Sequence, residues 1–138
     1  MSSPVVRAQV EVANRRFYEA LEARDAGALE DCWAGTDDVA CVHPGGPWVT
    51  GWEDVRDAWE FILANTGYME VGVEIVNIAI TDPIAIVTCI EHVTSAHDGE
   101  RVEASVAATN VFELGVDGWR MVVHHASPIV RMIRDDDV

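Results

Sequence analysis

The spacing of apolar residues changes its period at Gly67. Upstream, apolar positions recur every three to four residues, as on one face of a helix. Downstream, Val, Ile and Thr crowd into four stretches of about a dozen residues each, the signature of strands. These run Met69 to Ile80, Ile84 to Ala96, Arg101 to Leu114 and Trp119 to Val130. Only Thr81-Asp82-Pro83, His97-Asp98-Gly99-Glu100 and Gly115-Val116-Asp117-Gly118 separate them. Strands joined by such short links must be antiparallel neighbours, and Asp98-Gly99 suits a tight hairpin turn. Helices first and a meander last define an α+β layer fold. Strands this long twist and curl. The curled sheet offers a concave face that helices can cover, and three short helices do not fill such a cone to its mouth. An interior pocket is the expected remainder.

The helical part divides at its own punctuation. Ser3-Pro4 starts a helix, with Ser as N-cap and Pro in the first turn. Val6, Val10, Ala13, Phe17 and Leu21 form its inner face, and Arg15, Arg16, Glu19, Glu22 and Arg24 its wet side. A break at Asp25-Ala26-Gly27 leads to a second helix, Ala28 to Ala34, with Leu29, Cys32 and Trp33 inward. Val39 to His43 reads as a short strand stopped by Pro44-Gly45-Gly46-Pro47. Thr50 and Glu53 have capping-box spacing. The third helix follows to Asn65, buries Val55, Trp59 and Ile62, and stops before Gly67. With no linker or repeat, residues 1–138 read as one domain, ordered over about 4–131 and followed by an acidic tail at 132–138.

Composition excludes several classes of function. The 138 residues carry 24 acidic and 9 basic side chains, a net charge of −15. Such a surface repels phosphate backbones and anionic lipid, so neither nucleic acid nor a membrane is expected as a partner. Every basic residue is Arg; without Lys, no side chain can form a Schiff base. This bias suits a GC-rich bacterial genome or a saline cytoplasm. Cys32, Cys41 and Cys89 are odd in number and lack CxxC spacing. With no apolar leader behind a basic start, the expectation is a cytoplasmic chain with reduced thiols.

The order of elements, the "ARDAGAL" end of the first helix, the "VHPGG…GWEDV" segment and the closing "ATNVFELGVDGWRMVVHHASP" resemble the SnoaL-like branch of the nuclear transport factor 2-like superfamily. The closing segment is also similar to the association domain of calcium/calmodulin-dependent kinase II. The resemblance covers nearly the whole chain. It implies a cystatin-like cone, a homodimer through the outer sheet face, and a pocket that in different members serves isomerases, cyclases, epoxide hydrolases, dehydratases or plain binders. It also implies that polar residues from the middle strands point inward, at His92 and Asn110, and that His125 occupies the position of a His in the last strand. Neither the Asp-Tyr-Asp set of ketosteroid isomerases nor the Asp-Arg-Asp relay of limonene epoxide hydrolases has an equivalent here.

Strand alternation assigns faces independently. In the last strand Trp119, Met121, Val123, His125 and Ser127 share one face, taken as inward because it begins with Trp and Met. His124 then points out, although a bulge would exchange the two. In the second long strand Ile84, Ile86, Thr88, Ile90 and His92 are taken inward, and Glu91 and Glu103 outward. In the third, Val102, Ala104, Val106, Ala108, Asn110 and Phe112 align, with Asn110 the one strongly polar member. His125, Asn110 and His92 are therefore the candidate catalytic groups, and Tyr18, His43, Trp48 and Trp59 join them as ligand contacts. Each also has a structural explanation, as a satisfied core polar group or a core aromatic. Adjacent His124 and His125 point opposite ways and cannot chelate together, so no metal is expected; no cofactor is required, and no Gly-rich phosphate loop is present. The expected function is binding of a small apolar organic molecule. The alternative is a cofactor-independent isomerase, dehydratase, cyclase or hydrolase using His as acid and base.

Overall fold

The computed structural model describes residues 3–130, so the acidic tail read at 132–138 lies outside the described residues. Helices α1 (Pro4–Ala23) and α2 (Ala26–Cys32) follow one another directly, and the short strands β1 (Ala40–Val42) and β2 (Trp48–Thr50) lie between α2 and α3 (Trp52–Ala64). The long strands β3 (Tyr68–Thr81), β4 (Ile84–His97), β5 (Glu100–Gly115) and β6 (Gly118–Pro128) follow. They form one curved sheet of six strands in the order β2-β1-β6-β5-β4-β3. All pairings are antiparallel except β1 with β6.

The long strands match the sequence expectation, and the short strand read at Val39 to His43 is observed as β1. The sheet is wider than expected by β2, three residues beyond the Pro44–Pro47 turn, too short to leave a periodic signal. Hydrophobic packing of α1 and α3 on the concave face forms the core around Val10, Phe17, Trp33, Val55, Phe112 and Met121. Burying each such side chain contributes roughly 1.5–3 kcal/mol.

Helix ends follow the capping chemistry with one exception. Ser3 accepts from the Val6 N–H at 3.1 Å, and Asp25 accepts from Ala28 at the same distance, so α2 begins at Ala26 rather than Ala28. The Thr50/Glu53 capping box does not form. Thr50 is committed to β2, paired with Ala40, and Gly51 is the N-cap of α3 with no side-chain cap. Gly51 holds φ at 90°, where its N–H reaches Val39 O at 2.8 Å. An added Cβ would meet Asp37 O only at an ordinary 3.5 Å, so conformation alone makes Ala unfavourable there. Gly51→Ala should cost about 2 kcal/mol, read as a lower urea midpoint at unchanged slope. An unchanged midpoint would show that this φ is not required.

Two bulges set which faces the strands present. Val76 is the extra residue between Ile75 and Asn77 in β3, and Val122 the extra residue between Met121 and Val123 in β6. The second decides the site.

Candidate functional site

Five polar side chains meet on the hollow side of the sheet. Asn14 and Tyr18 come from α1, Glu91 from β4, Asn110 from β5 and His124 from β6, and all five are buried. Asn14 and Tyr18 stand four residues apart and so share one helix face. Asn110 lies directly opposite His124 in the β5–β6 ladder.

The hydrogen bonds fix each other's directions. Asn110 Nδ2 donates to Asn14 Oδ1 at 2.9 Å and to Tyr18 Oη at 3.0 Å. Asn110 Oδ1 can only accept, so His124 Nδ1, 2.6 Å away, carries the ring proton. Tyr18 Oη, already accepting from Asn110, donates its own proton to Glu91 Oε2 at 2.6 Å. In the neutral ring His124 Nε2 is then a bare acceptor, and it stands 4.0 Å from Glu91 Oε2. That gap is too long for a hydrogen bond.

Burial makes the ionised forms costly. It lowers the His124 pKa to about 3, with the nearby His43 and His125 adding to the effect. It raises Glu91 above the usual carboxylate range, while the Tyr18 hydrogen bond pulls it part of the way back. Tyr18 is raised by burial first and by the Glu91 charge second, so the phenol keeps its proton and stays a donor. The surroundings are aromatic: the His124 ring centre lies 4.9 Å from Phe17 and 5.8 Å from Trp59.

Of the residues singled out from sequence, the structure brings Tyr18, Asn110 and Trp59 together in the interior. His43 is half-buried beside them, its ring 4.5 Å from Trp59 and its Nε2 3.7 Å from Cys41 Sγ. Burial lowers its pKa as well. Three residues lie on the outside instead. His125 is exposed on the outer face, where its ring meets the exposed Trp48 at 4.8 Å. The Val122 bulge shifts the alternation after Met121, so Trp119, Met121, His124 and Ala126 face inward. His92 is exposed, with Nε2 3.9 Å from Glu74 and Nδ1 3.4 Å from Ser105 Oγ. On β4 the inward row is Ala85, Val87, Cys89 and Glu91. Both faces of β4 are apolar, so hydrophobicity alone chose the wrong one.

Sequence reasoning therefore placed Glu91 and His124 outward and did not single out Asn14. Glu91 carried a usable signal: a two-residue turn at Asp98-Gly99 puts His97 opposite Glu100. Counting back from there sets Val87 against Asn110 and Glu91 against Val106, on the same face as the Asn110 row. Nothing local marked the bulge that turns His124 in.

The interior is more closed than expected. The Glu91 and His124 side chains keep only 8% and 3% of their surface exposed, so the helices and sheet close over them almost completely. Two hollows sit elsewhere, neither of them lined by Glu91 or His124. A groove of about 1290 Å³ runs between α1 and the β5–β6 turn, past Val12, Ala20, Cys32, Val116 and Trp119. A smaller one of about 380 Å³ lies on the outer sheet face beside His125, Thr88 and Thr109. Among the described residues no three His, Cys, Asp or Glu side chains stand together as a metal site, and no helix is long and apolar enough to cross a membrane.

Three helices over a curled sheet of six strands, with ionisable groups buried between the layers, define a cystatin-like α+β cone, and similarity at 34% identity puts it in the nuclear transport factor 2-like class. The chain belongs to the SnoaL-like domain family, whose model matches residues 10–131. It is similar to a candidate dehydratase of the NTF2-like family from Streptomyces avermitilis, with 34% identity, a TM-score of 0.87, and coverage of 94% of this chain and 100% of that one. It is also similar to a candidate calcium/calmodulin-dependent protein kinase type II association domain from Thiobacillus denitrificans, with 33% identity, a TM-score of 0.78, and coverage of 87% and 94%. The F-box protein SKIP8 of Arabidopsis thaliana is 30% identical over 125 residues, 91% of this chain. The chain spans about half of that plant protein, 51% of its length.

Proposed function

We propose that this chain binds a small, mostly apolar organic molecule on the hollow side of its sheet, with Glu91 and His124 as its polar contacts. One observation carries the proposal. Asn14, Asn110 and Tyr18 are occupied in holding Glu91 and His124, whereas His124 Nε2 is left without a hydrogen-bond partner, 4.0 Å from a Glu91 Oε2 that accepts only from Tyr18, among aromatic rings. A buried network whose only purpose was packing would close on itself. With the pair this enclosed, an entering molecule must part the side chains above it.

Protein NMR with a library of small apolar alcohols, ketones and amines tests this. Ligands should shift Phe17, Tyr18 and the Trp59 indole N–H, and His124→Gln should weaken them by at least tenfold. Shifts confined to the groove around Val116 or to the outer face would overturn the proposal.

The second part is a homodimer through the outer sheet face. Ile86 and Trp48 are exposed there, next to half-buried Ile90, Val111 and Val123, an apolar surface of the kind that proteins cover. Sedimentation should give a dimer, and Ile86→Asp should shift it to monomer. A wild-type monomer at the same concentration would overturn it.

The Glu91–His124 pair also favours a second reading, catalysis on the bound molecule without a cofactor. The Glu91 carboxyl, raised by burial in a dry site, is the group placed to move a proton, and the neutral His124 Nε2 beside it is an acceptor that orients the molecule. The naming of the Streptomyces relative as a candidate dehydratase supports this reading. It predicts turnover that Glu91→Gln abolishes while binding by the walls persists.

A further inference from the structure

Resting on the proposal that the cone takes a small molecule, we propose that this molecule is a protonated amine with an apolar body, its ammonium group seated between Glu91 and His124 Nε2. Hydrogen-bonding capacity points there first. Tyr18 donates into Glu91 Oε2, and Asn110 fixes the proton of His124 on Nδ1. His124 Nε2 is therefore an acceptor without a donor, and Glu91 Oε2, 4.0 Å from it, is an acceptor with room for a second donor beside Tyr18. A nitrogen about 2.8 Å from each would see them at roughly a right angle, within reach of two N–H bonds of one ammonium group. A hydroxyl carries one proton and satisfies one of the two. A carboxylate brings none and meets the like charge of Glu91.

Charge points the same way. A buried carboxylate normally has a cationic partner. Glu91 has none among the described residues: its one neighbour at ion-pair distance is His124, and burial keeps that ring neutral. The described arginine ion pairs, at Arg7, Arg15, Arg56 and Arg101, all involve exposed side chains. An ammonium ligand would supply the missing charge and so favour the ionised carboxylate that burial otherwise disfavours. Phe17, Tyr18 and Trp59 add aromatic faces and edges close to that position. At longer range a net charge of −15 concentrates small cations and excludes small anions.

Three probes with matched bodies test the assignment: 2-phenylethylamine, 2-phenylethanol and 3-phenylpropanoate, titrated into the whole chain at neutral pH and low salt. Calorimetry gives affinity and protein NMR gives location. The amine should bind at least tenfold tighter than the alcohol, with shifts at Phe17, Tyr18 and Trp59, and the propanoate should leave those signals unmoved. Glu91→Gln should erase the preference for amine over alcohol; if that variant does not fold, the wild-type ranking decides alone. An alcohol that binds as tightly as the amine, with shifts inside the cone, overturns the amine and leaves the interior site standing. No interior shift from any of the three also overturns the amine, and the interior site is then decided by the library experiment above.

Discussion

Phe17→Ala should destabilise the fold by about 4 kcal/mol, the largest effect expected of any single truncation here. Its ring is fully buried at the centre of an aromatic cluster. Tyr18 lies at 4.9 Å, Trp59 at 5.7 Å and Trp33 at 6.5 Å, all edge-on, and His124 lies at 4.9 Å. Truncation removes the transfer free energy of a phenyl group, leaves a cavity, and forfeits edge-to-face contacts of about 0.5–1.5 kcal/mol each. Domains of this size have roughly 5–15 kcal/mol in hand, so the variant should still fold in the cold while its urea midpoint drops sharply. Phe61→Ala on α3 is the control. That ring is 69% exposed, and the change should stay within about 0.5 kcal/mol. A loss below about 1.5 kcal/mol at Phe17 would mean that the helices do not pack on the sheet through this ring.

The α+β architecture was legible because it depends on period and turn chemistry, both local properties. Long strands read from Met69 to Ile80 and from Ile84 to Ala96 are observed as Tyr68–Thr81 and Ile84–His97. The interior position of Asn110 was legible as the polar member of an otherwise apolar row, and that of Tyr18 because it adjoins the inward Phe17. His124 and His125 were exchanged because facing is a cumulative count along a strand, and one unpaired residue, Val122, reverses everything after it. His92 and Glu91 were exchanged for a different reason. β4 carries Ile86 and Ile90 on the outer face and smaller Ala85, Val87 and Cys89 beneath the helices. The larger apolar residues therefore pointed away from the core, and the hairpin register was the better guide. Asn14 had no signal of its own. It becomes meaningful only when Asn110 is brought within 2.9 Å, across 96 residues of sequence.

Acid should unfold the chain in a way that traces to His124. Its folded pKa lies near 3 against an ordinary 6.5, so on acidification the unfolded chain takes up a proton that the folded chain refuses. The stability this group provides is whole above 6.5 and is lost progressively as pH falls from there toward 3. Between pH 7 and pH 5 the loss from His124 is about 2 kcal/mol, at about 1.4 kcal/mol per unit. His43, also lowered by burial, acts in the same direction. Glu91 acts in the opposite one: its raised pKa lets the folded chain protonate first, so acidification through that range stabilises. Fewer charges on a chain of net charge −15 also relieve repulsion. The informative quantity is therefore the difference between wild type and His124→Gln, in which Gln can still donate to Asn110 Oδ1. Urea midpoints measured from pH 7 to pH 5 should fall more steeply in the wild type, by about 2 kcal/mol over the range. Parallel curves would mean that the ring at 124 is not held neutral against protonation. The directed chain from His124 through Asn110 and Tyr18 to Glu91 would then lose its starting point, because a doubly protonated ring offers no acceptor to any ligand.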